Sequence, residues 1–301
     1  MSTPVNLHHE VLGEGPDLVI LHGLFGSLDN WRGPARILAR KFRVWLLDQR
    51  NHGRSPHSDE FHYAAMAEDL GAFLDRQGLG RVHLLGHSMG GKAAMSFASR
   101  QQKRVSRLIV EDMGPGAYSP RHEGVFRGML NLPLARLRSR SEAEKLLRKD
   151  VPEAEVRGFL LKNLYRRDDG VWAWRCNLPV LFASYRHLLS ALPIDGPVFC
   201  PTLFVKGELS DYLDSTHRGK LFARFVHRKM ATVQNAGHWV HAEQPEAFFA
   251  DNRNFFIGKL ISFLLSVFSF NLCAVGVCFI LSRTGNAGCP IKRPGIPPGF
   301  L

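Results

Sequence analysis

The segment Gly86-His87-Ser88-Met89-Gly90 constrains this chain more than any other. It follows the apolar run Arg81-Val82-His83-Leu84-Leu85 and precedes Gly91-Lys92-Ala93-Ala94-Met95-Ser96-Phe97-Ala98-Ser99, which reads as a helix. Strand, then G-x-S-x-G, then helix is the context that holds a serine on a sharp turn, its hydroxyl exposed at the carboxyl end of a sheet. Both flanking positions must be glycine, because a side chain there would strike the adjoining strand or helix. Alone, the pattern also fits an ordinary glycine-rich turn, so its meaning depends on what stands elsewhere.

Two further motifs stand where such a serine needs them. Leu21-His22-Gly23-Leu24-Phe25-Gly26 follows the apolar run 17–21. Backbone N–H groups of Leu24 or Phe25, together with that of Met89, are expected to face the oxygen of a carbonyl bound at Ser88. Asn235-Ala236-Gly237-His238-Trp239-Val240-His241 follows the run 229–233. A histidine in a loop after the last strand can reach back to the serine as general base. His238 is the candidate. His241 is its nearest competitor and reads better as a packing residue at the mouth of the site.

An acid should orient that histidine and stabilise its imidazolium. Asp112 ends the run 105–111, and Asp211 lies just past the run 201–205. Both strand tips border the histidine loop, so the residues themselves leave the two open. The order Ser…Asp…His holds for either.

The remaining pattern is alternation. Apolar runs at 18–21, 44–47, 82–85, 108–110, 203–205 and 230–233 are separated early on by amphipathic helical stretches at 30–40 and 64–77. Buried strands alternating with helices predict a doubly wound, mostly parallel α/β sheet, with its site at the carboxyl ends of the strands. Between about 113 and 197 the alternation stops, and helices are expected at 123–130, 141–149, 153–163 and 180–191. This predicts a core of 1–115 and 198–258 with a helical cap, 116–197, over the strand tips.

Composition bounds the partners. Net charge is +12, from 39 Lys and Arg against 27 Asp and Glu, which favours anionic partners. No nucleic-acid motif accompanies it, and the basic clusters at 134–140 and 145–149 read as solvated helix faces. The five cysteines are Cys176, Cys200, Cys273, Cys278 and Cys289. Their irregular spacing predicts neither a disulfide framework nor a zinc site. The first ten residues lack a secretory or presequence pattern, so a cytoplasmic location is the expectation.

Five segments occur together and in order: 22–27, Asp48-Gln49-Arg50-Asn51-His52-Gly53-Arg54-Ser55-Pro56-His57, 86–92, Trp174-Arg175-Cys176-Asn177-Leu178 and 235–243. Over about residues 6–258 the chain resembles the small capped α/β-hydrolase family of bacterial serine esterases and their mitochondrial animal relatives. The resemblance implies esterase or acyl-thioesterase activity on a small-molecule substrate, a helical cap, and no cofactor; no metal is expected from the spacing of the cysteines and histidines. It implies the triad serine at Ser88, the histidine at His238 and the acid at Asp112. By the same likeness a mitochondrial location is an alternative. Glu111-Asp112-Met113-Gly114-Pro115 departs from the family, whose members carry a more apolar run there. Arg175 is family-like; it is expected either to bind a substrate carboxylate or phosphate or to anchor the cap by a salt bridge. His22 and His87 are further candidates for substrate contact. The segment from Asp48 to Ser55 reads as loop architecture. A serine nucleophile excludes the branches of the fold that use aspartate there. A non-catalytic ligand-binding protein and a C–C bond hydrolase remain as alternatives on the same scaffold.

The last feature is 260–281, which contains 22 residues without a charge between Lys259 and Arg283. At about 1.5 Å per residue a helix of that length crosses a bilayer of about 30 Å. It reads either as a membrane anchor or as a variant terminus appended after a last helix at 245–259. Oligomeric state is not legible.

Overall fold

The central apolar runs become strands buried on both faces, as central parallel strands must be, while the run 230–233 forms a mostly exposed edge strand. In a computed structural model, which describes residues 3–214, 219–249 and 255, the strands are β1 (His9–Leu12), β2 (Asp17–Leu21), β3 (Arg43–Leu47), β4 (Val82–His87), β5 (Val105–Glu111), β6 (Leu164–Arg166), β7 (Trp172–Trp174), β8 (Thr202–Gly207) and β9 (Arg228–Val233). Seven of them form one sheet in the order β1-β3-β2-β4-β5-β8-β9. β1 pairs antiparallel with β3, and every other pair in that sheet is parallel. This is an α/β-hydrolase sheet, mostly parallel and doubly wound. β9 closes one edge and exposes Arg228 and Lys229, charges that discourage pairing with another chain.

Helices α1 (Arg32–Leu38), α2 (Tyr63–Arg76) and α3 (Met89–Arg100) connect the early strands. α2 starts where the His62 ring accepts the Ala65 N–H at 3.1 Å. Its buried stripe includes Met66, Leu70, Phe73 and Leu74. α3 is buried along almost its whole length and packs between α2 and the sheet.

Between β5 and β8 come α4 (Glu123–Leu130), α5 (Arg140–Leu147), α6 (Ala154–Leu161), α7 (Leu178–Ala183) and α8 (Tyr185–Leu189). Two features differ from the expected run of helices. β6 and β7 pair as an antiparallel hairpin around the Gly170 turn, where φ is +82°. Strands of three residues are too short to show a period. The helix expected over 180–191 is two helices, broken at Ser184. This segment is tied to the sheet side by polar bonds: Tyr63 Oη donates to Leu188 O at 2.8 Å, Lys92 Nζ to Ser190 O at 2.7 Å and Asn177 N to Asn51 O at 2.9 Å. α9 (Lys220–Ala223) and α10 (Val240–Glu243) flank β9.

Among the described residues no helix is long and apolar enough to cross a membrane. The charge-free run 260–281 lies outside the described residues.

Candidate active site

Ser88 sits between β4 and α3 with φ +53° and ψ −119°, a backbone region that L residues rarely occupy. The flanking glycines have no room for anything larger. A Cβ on Gly86 would lie 2.3 Å from Gly90 O, and one on Gly90 would lie 2.3 Å from Leu21 O. The Ser88 N–H donates to Glu111 O at 3.0 Å, which fastens the turn to β5. The hydroxyl therefore stands at the carboxyl end of the sheet, at the head of α3.

Asp112 follows β5 with φ +46° and is completely buried. Its Oδ1 accepts the Gly207 N–H at 3.2 Å, and its Oδ2 accepts the Ser210 hydroxyl. Oδ2 also accepts from His238 Nδ1 at 2.8 Å. With its proton on Nδ1, the imidazole is left with a lone pair on Nε2. The His238 loop is fixed independently. The Glu243 carboxylate accepts the Gly237 and Trp239 N–H groups at 2.5 and 3.0 Å, and His87 Nε2 donates to His238 O at 3.0 Å. Gly207 lets the tip of β8 approach this loop, since a Cβ there would fall 2.0 Å from Gly237 O.

Asp211 does not reach the imidazole. Its side chain is 71 % exposed and pairs with Arg121 at 2.7 Å. Arg121 lies over the Tyr212 ring at 4.2 Å, and Tyr212 stacks on His238 with ring centroids 3.9 Å apart and planes at 19°. Thus of the two acids left open by the sequence, Asp112 touches His238, while Asp211 is three contacts away.

The loop after β2 is pinned by two buried histidines. His22 Nδ1 donates to Gly23 O at 2.8 Å and its Nε2 accepts the Gln49 N–H at 3.1 Å. His52 Nδ1 donates to Arg50 O at 3.0 Å and its Nε2 accepts the Phe25 N–H at 3.2 Å. Burial lowers His22 to about 4 and His52 to about 3, so both rings are neutral at pH 7 and each tautomer is set by its partners. The Phe25 N–H is thereby spent, which removes it from the expected donors to a carbonyl oxygen. Asn163 Nδ2 holds the same residue through Phe25 O at 2.6 Å. The N–H groups of Leu24 and Met89 donate to no other group among the described residues. Met89 heads α3, where first-turn amides lack an intrahelical partner.

Ser88, His238, Leu24 and Tyr212 line one chamber of about 260 Å³, with Val125 of α4 and Val156 and Phe159 of α6 opposite. A larger space of about 580 Å³ adjoins it across Gly23, His87, Phe159 and Trp239. His22 borders only the larger space of these two, and both of its ring nitrogens are occupied, so the structure gives it a scaffolding place rather than a substrate contact. His87 borders both spaces; burial lowers it to about 3, and Nε2 is already engaged. Arg175 does not line the chamber at all. Its guanidinium lies over the Tyr165 ring at 4.4 Å, and its carbonyl accepts from His57 Nε2 at 3.0 Å. It lines neither space and makes no salt bridge among the described residues, so the structure brings it to neither of its two expected places.

Arg121, His122, Tyr212 and Asn163 border or brace the site and carried no signal in the sequence. They lie in irregular segments or helix ends, and the topology alone brings them together. Among the described residues no cluster of His, Cys, Asp and Glu could hold a metal ion.

A model of the alpha/beta hydrolase fold matches residues 16–245. The chain is similar to Esterase YbfF of Escherichia coli, 37% identical over 231 residues, which covers 76% of this chain and 89% of that one. It is also similar to the sn-1-specific diacylglycerol lipase ABHD11 of Mus musculus, 38% identical over 241 residues, covering 77% and 78% respectively. Among solved structures, a marine microorganism esterase superposes with a TM-score of 0.82 at 40% identity, covering 83% of this chain and 99% of that one. Sheet order, elbow and matched family model agree: this chain belongs to the α/β-hydrolase fold family and is related to its esterases and lipases.

Proposed function

We propose that the chain is a serine hydrolase of carboxylic esters or acyl thioesters that works through an acyl-enzyme. The observation that carries this reading is the 2.8 Å bond between His238 Nδ1 and Asp112 Oδ2, on the wall of the chamber that Ser88 also lines. The esterases and lipases among its relatives support the coarser statement, ester hydrolysis.

In the reaction, His238 Nε2 takes the Ser88 hydroxyl proton as that oxygen attacks the acyl carbon. Negative charge develops on the carbonyl oxygen, and the N–H groups of Leu24 and Met89 stabilise it. Donors of this kind are worth about 2.7–4 kcal/mol of barrier each. The imidazolium gives its proton to the departing alcohol or thiol as the C–O or C–S bond breaks. Water then attacks the acyl-enzyme, giving a proton to Nε2, which returns it to Ser88 as the carboxylic acid leaves. Asp112 keeps the imidazole in the required tautomer throughout. Every step uses groups of the chain and water.

In this reading residues 116–197 act as a cap on a core of 1–115 and 198–258. Apolar side chains of α4 and α6 roof the chamber, which excludes bulk water and strengthens the electrostatics inside. The test is hydrolysis of a panel of p-nitrophenyl esters and acyl thioesters, with labelling by a fluorophosphonate. Wild type is expected to turn over and to label; Ser88→Ala is expected to do neither. Equal turnover in the variant would overturn the mechanism, and a folded, inert wild type would favour a binding role.

A further inference from the structure

Glu111 is the last residue of β5 and the one before Asp112. Its side chain is completely buried. Three bonds make it a junction. Its backbone oxygen accepts the Ser88 N–H at 3.0 Å. Its Oε1 accepts both the backbone N–H of His241, at 2.9 Å, and His241 Nδ1, at 2.8 Å. The other carboxyl oxygen, Oε2, has no hydrogen-bond partner among the described residues. His241 in turn stacks on Trp31, with centroids 4.0 Å apart and planes at 18°. The nucleophile turn and the loop that carries His238 are thus both fastened to one residue.

The groups facing this carboxyl are few. Across the β4–β5 pairing stands His87, whose ring lies 4.7 Å from that of His238 and 5.2 Å from that of His241. Asp112 follows on the same strand, His238 comes from the loop after β9, and His241 comes from α10. Lys162 and Glu243 act on His241 from farther out. Among the described residues no Lys or Arg bonds to the Glu111 carboxyl, whose one side-chain partner is the His241 ring.

We propose that Glu111 is a positioning residue for the reaction: it anchors the histidine loop to the nucleophile turn, and its charge state governs how tightly His238 holds a proton. The role in catalysis rests on the serine-hydrolase reading above; the electrical coupling does not. A carboxylate with one oxygen buried and unpartnered is costly, so the neutral acid is favoured. Burial, with Asp112 adding to it, pushes Glu111 up to about 7, against the opposing pull of His87 and the His241 bond. His241 is held neutral, at about 3, chiefly by burial. Loss of the Glu111 proton brings a negative charge into the cluster around His238, which favours the imidazolium.

The experiment compares wild type, Glu111→Gln and Glu111→Ile, full chain, by two readouts. One is the pH profile of kcat and KM on p-nitrophenyl acetate. The other is the pH titration of the His238 imidazole by NMR, assigned from its loss in His238→Gln. Glutamine keeps an oxygen for both His241 donors and removes the charge. It is expected to match wild type well below pH 7, to diverge above it, and to move the His238 NMR titration curve away from that of wild type. Isoleucine removes the anchor as well, and kcat is expected to fall about 10²-fold with KM little changed, as a misplaced catalytic group does. Superimposable His238 titrations in wild type and Glu111→Gln overturn the coupling. A folded Glu111→Ile with wild-type kcat overturns the anchor. If the isoleucine variant fails to fold, the glutamine comparison still decides. If wild type hydrolyses nothing, the serine-hydrolase reading fails, while the NMR titration still tests Glu111.

Discussion

The Asp112 carboxylate and the His238 imidazole share a 2.8 Å hydrogen bond in which Nδ1 donates to Oδ2. Asp112 also accepts from Gly207 N–H and the Ser210 hydroxyl, so it is held in place before any substrate arrives. Asp112→Asn keeps the shape and loses the acceptor that selects the tautomer. Its kcat is expected to fall about 10⁴-fold. Asp211→Asn, which only loosens an exposed pair with Arg121, is expected to stay within about tenfold of wild type, since such pairs are worth about 0–1 kcal/mol. Side-by-side kcat/KM values on one ester check both, and the reverse order would reassign the acid.

His52 is expected to matter for rate more than for binding. Its Nε2 accepts the Phe25 N–H and so holds the turn that presents Leu24 N–H. His52→Leu removes that acceptor and lets the donor drift. A loss of about 10²-fold in kcat, with KM within a few-fold, is the outcome expected when an oxyanion donor is misplaced. A variant that lost only KM would place the residue on the binding side instead.

Stability is expected to fall steeply as the pH is lowered from 6.5 toward 4. His22, His83 and His122 are depressed to about 4, and His52, His87 and His241 to about 3, in each case chiefly by burial. A group with a depressed folded value binds protons more readily when unfolded. Its contribution is present above 6.5, its ordinary value, and is lost as pH falls through the folded one. Glu111, between 4.5 and about 7, and Asp48 and Asp69, raised by burial above 3.8, act in the opposite direction, but they are three groups against six. Urea unfolding across this range checks the sign; a flat profile would mean that the rings charge without opening the fold.

Gly207→Ala is expected to be damaging out of proportion to one methyl. The added carbon would fall 2.0 Å from Gly237 O, so the β8 tip and the histidine loop must part. Overpacking of this kind costs about 1–3 kcal/mol. Here it also pulls on both ends of the Asp112–His238 pair. A lower thermal midpoint together with lower kcat is expected; a loss of stability alone would show that the loop absorbs the shift.

How far the sequence reaches depends on the kind of constraint. The turn at Ser88 is legible because its backbone leaves no space: glycines at 86 and 90 follow from contacts shorter than any side chain allows. The parallel sheet is legible because strands buried on both faces must be continuously apolar. The choice between Asp112 and Asp211 is not, because the tips of β5 and β8 lie side by side and both offer a carboxylate. What decides is which side chain turns inward, and nothing local in the sequence records that. Phe25 and Arg175 fail for a related reason. Whether Phe25 N–H is available depends on an imidazole 27 residues away. Arg175 finds Tyr165 only because β6 and β7 pair, and strands of three residues leave no periodic trace.

The packing around His238 bears on how the site handles protons. His238 lies flat against Tyr212, whose far face is covered by Arg121, and His87 crowds it from another side. Stacked on Tyr212 and bonded through Nδ1 to Asp112, the ring keeps its Nε2 edge as the one free to exchange protons. Whatever it collects at one edge must be passed on from that same edge, so the direction of traffic is fixed by stacked planes and not by timing.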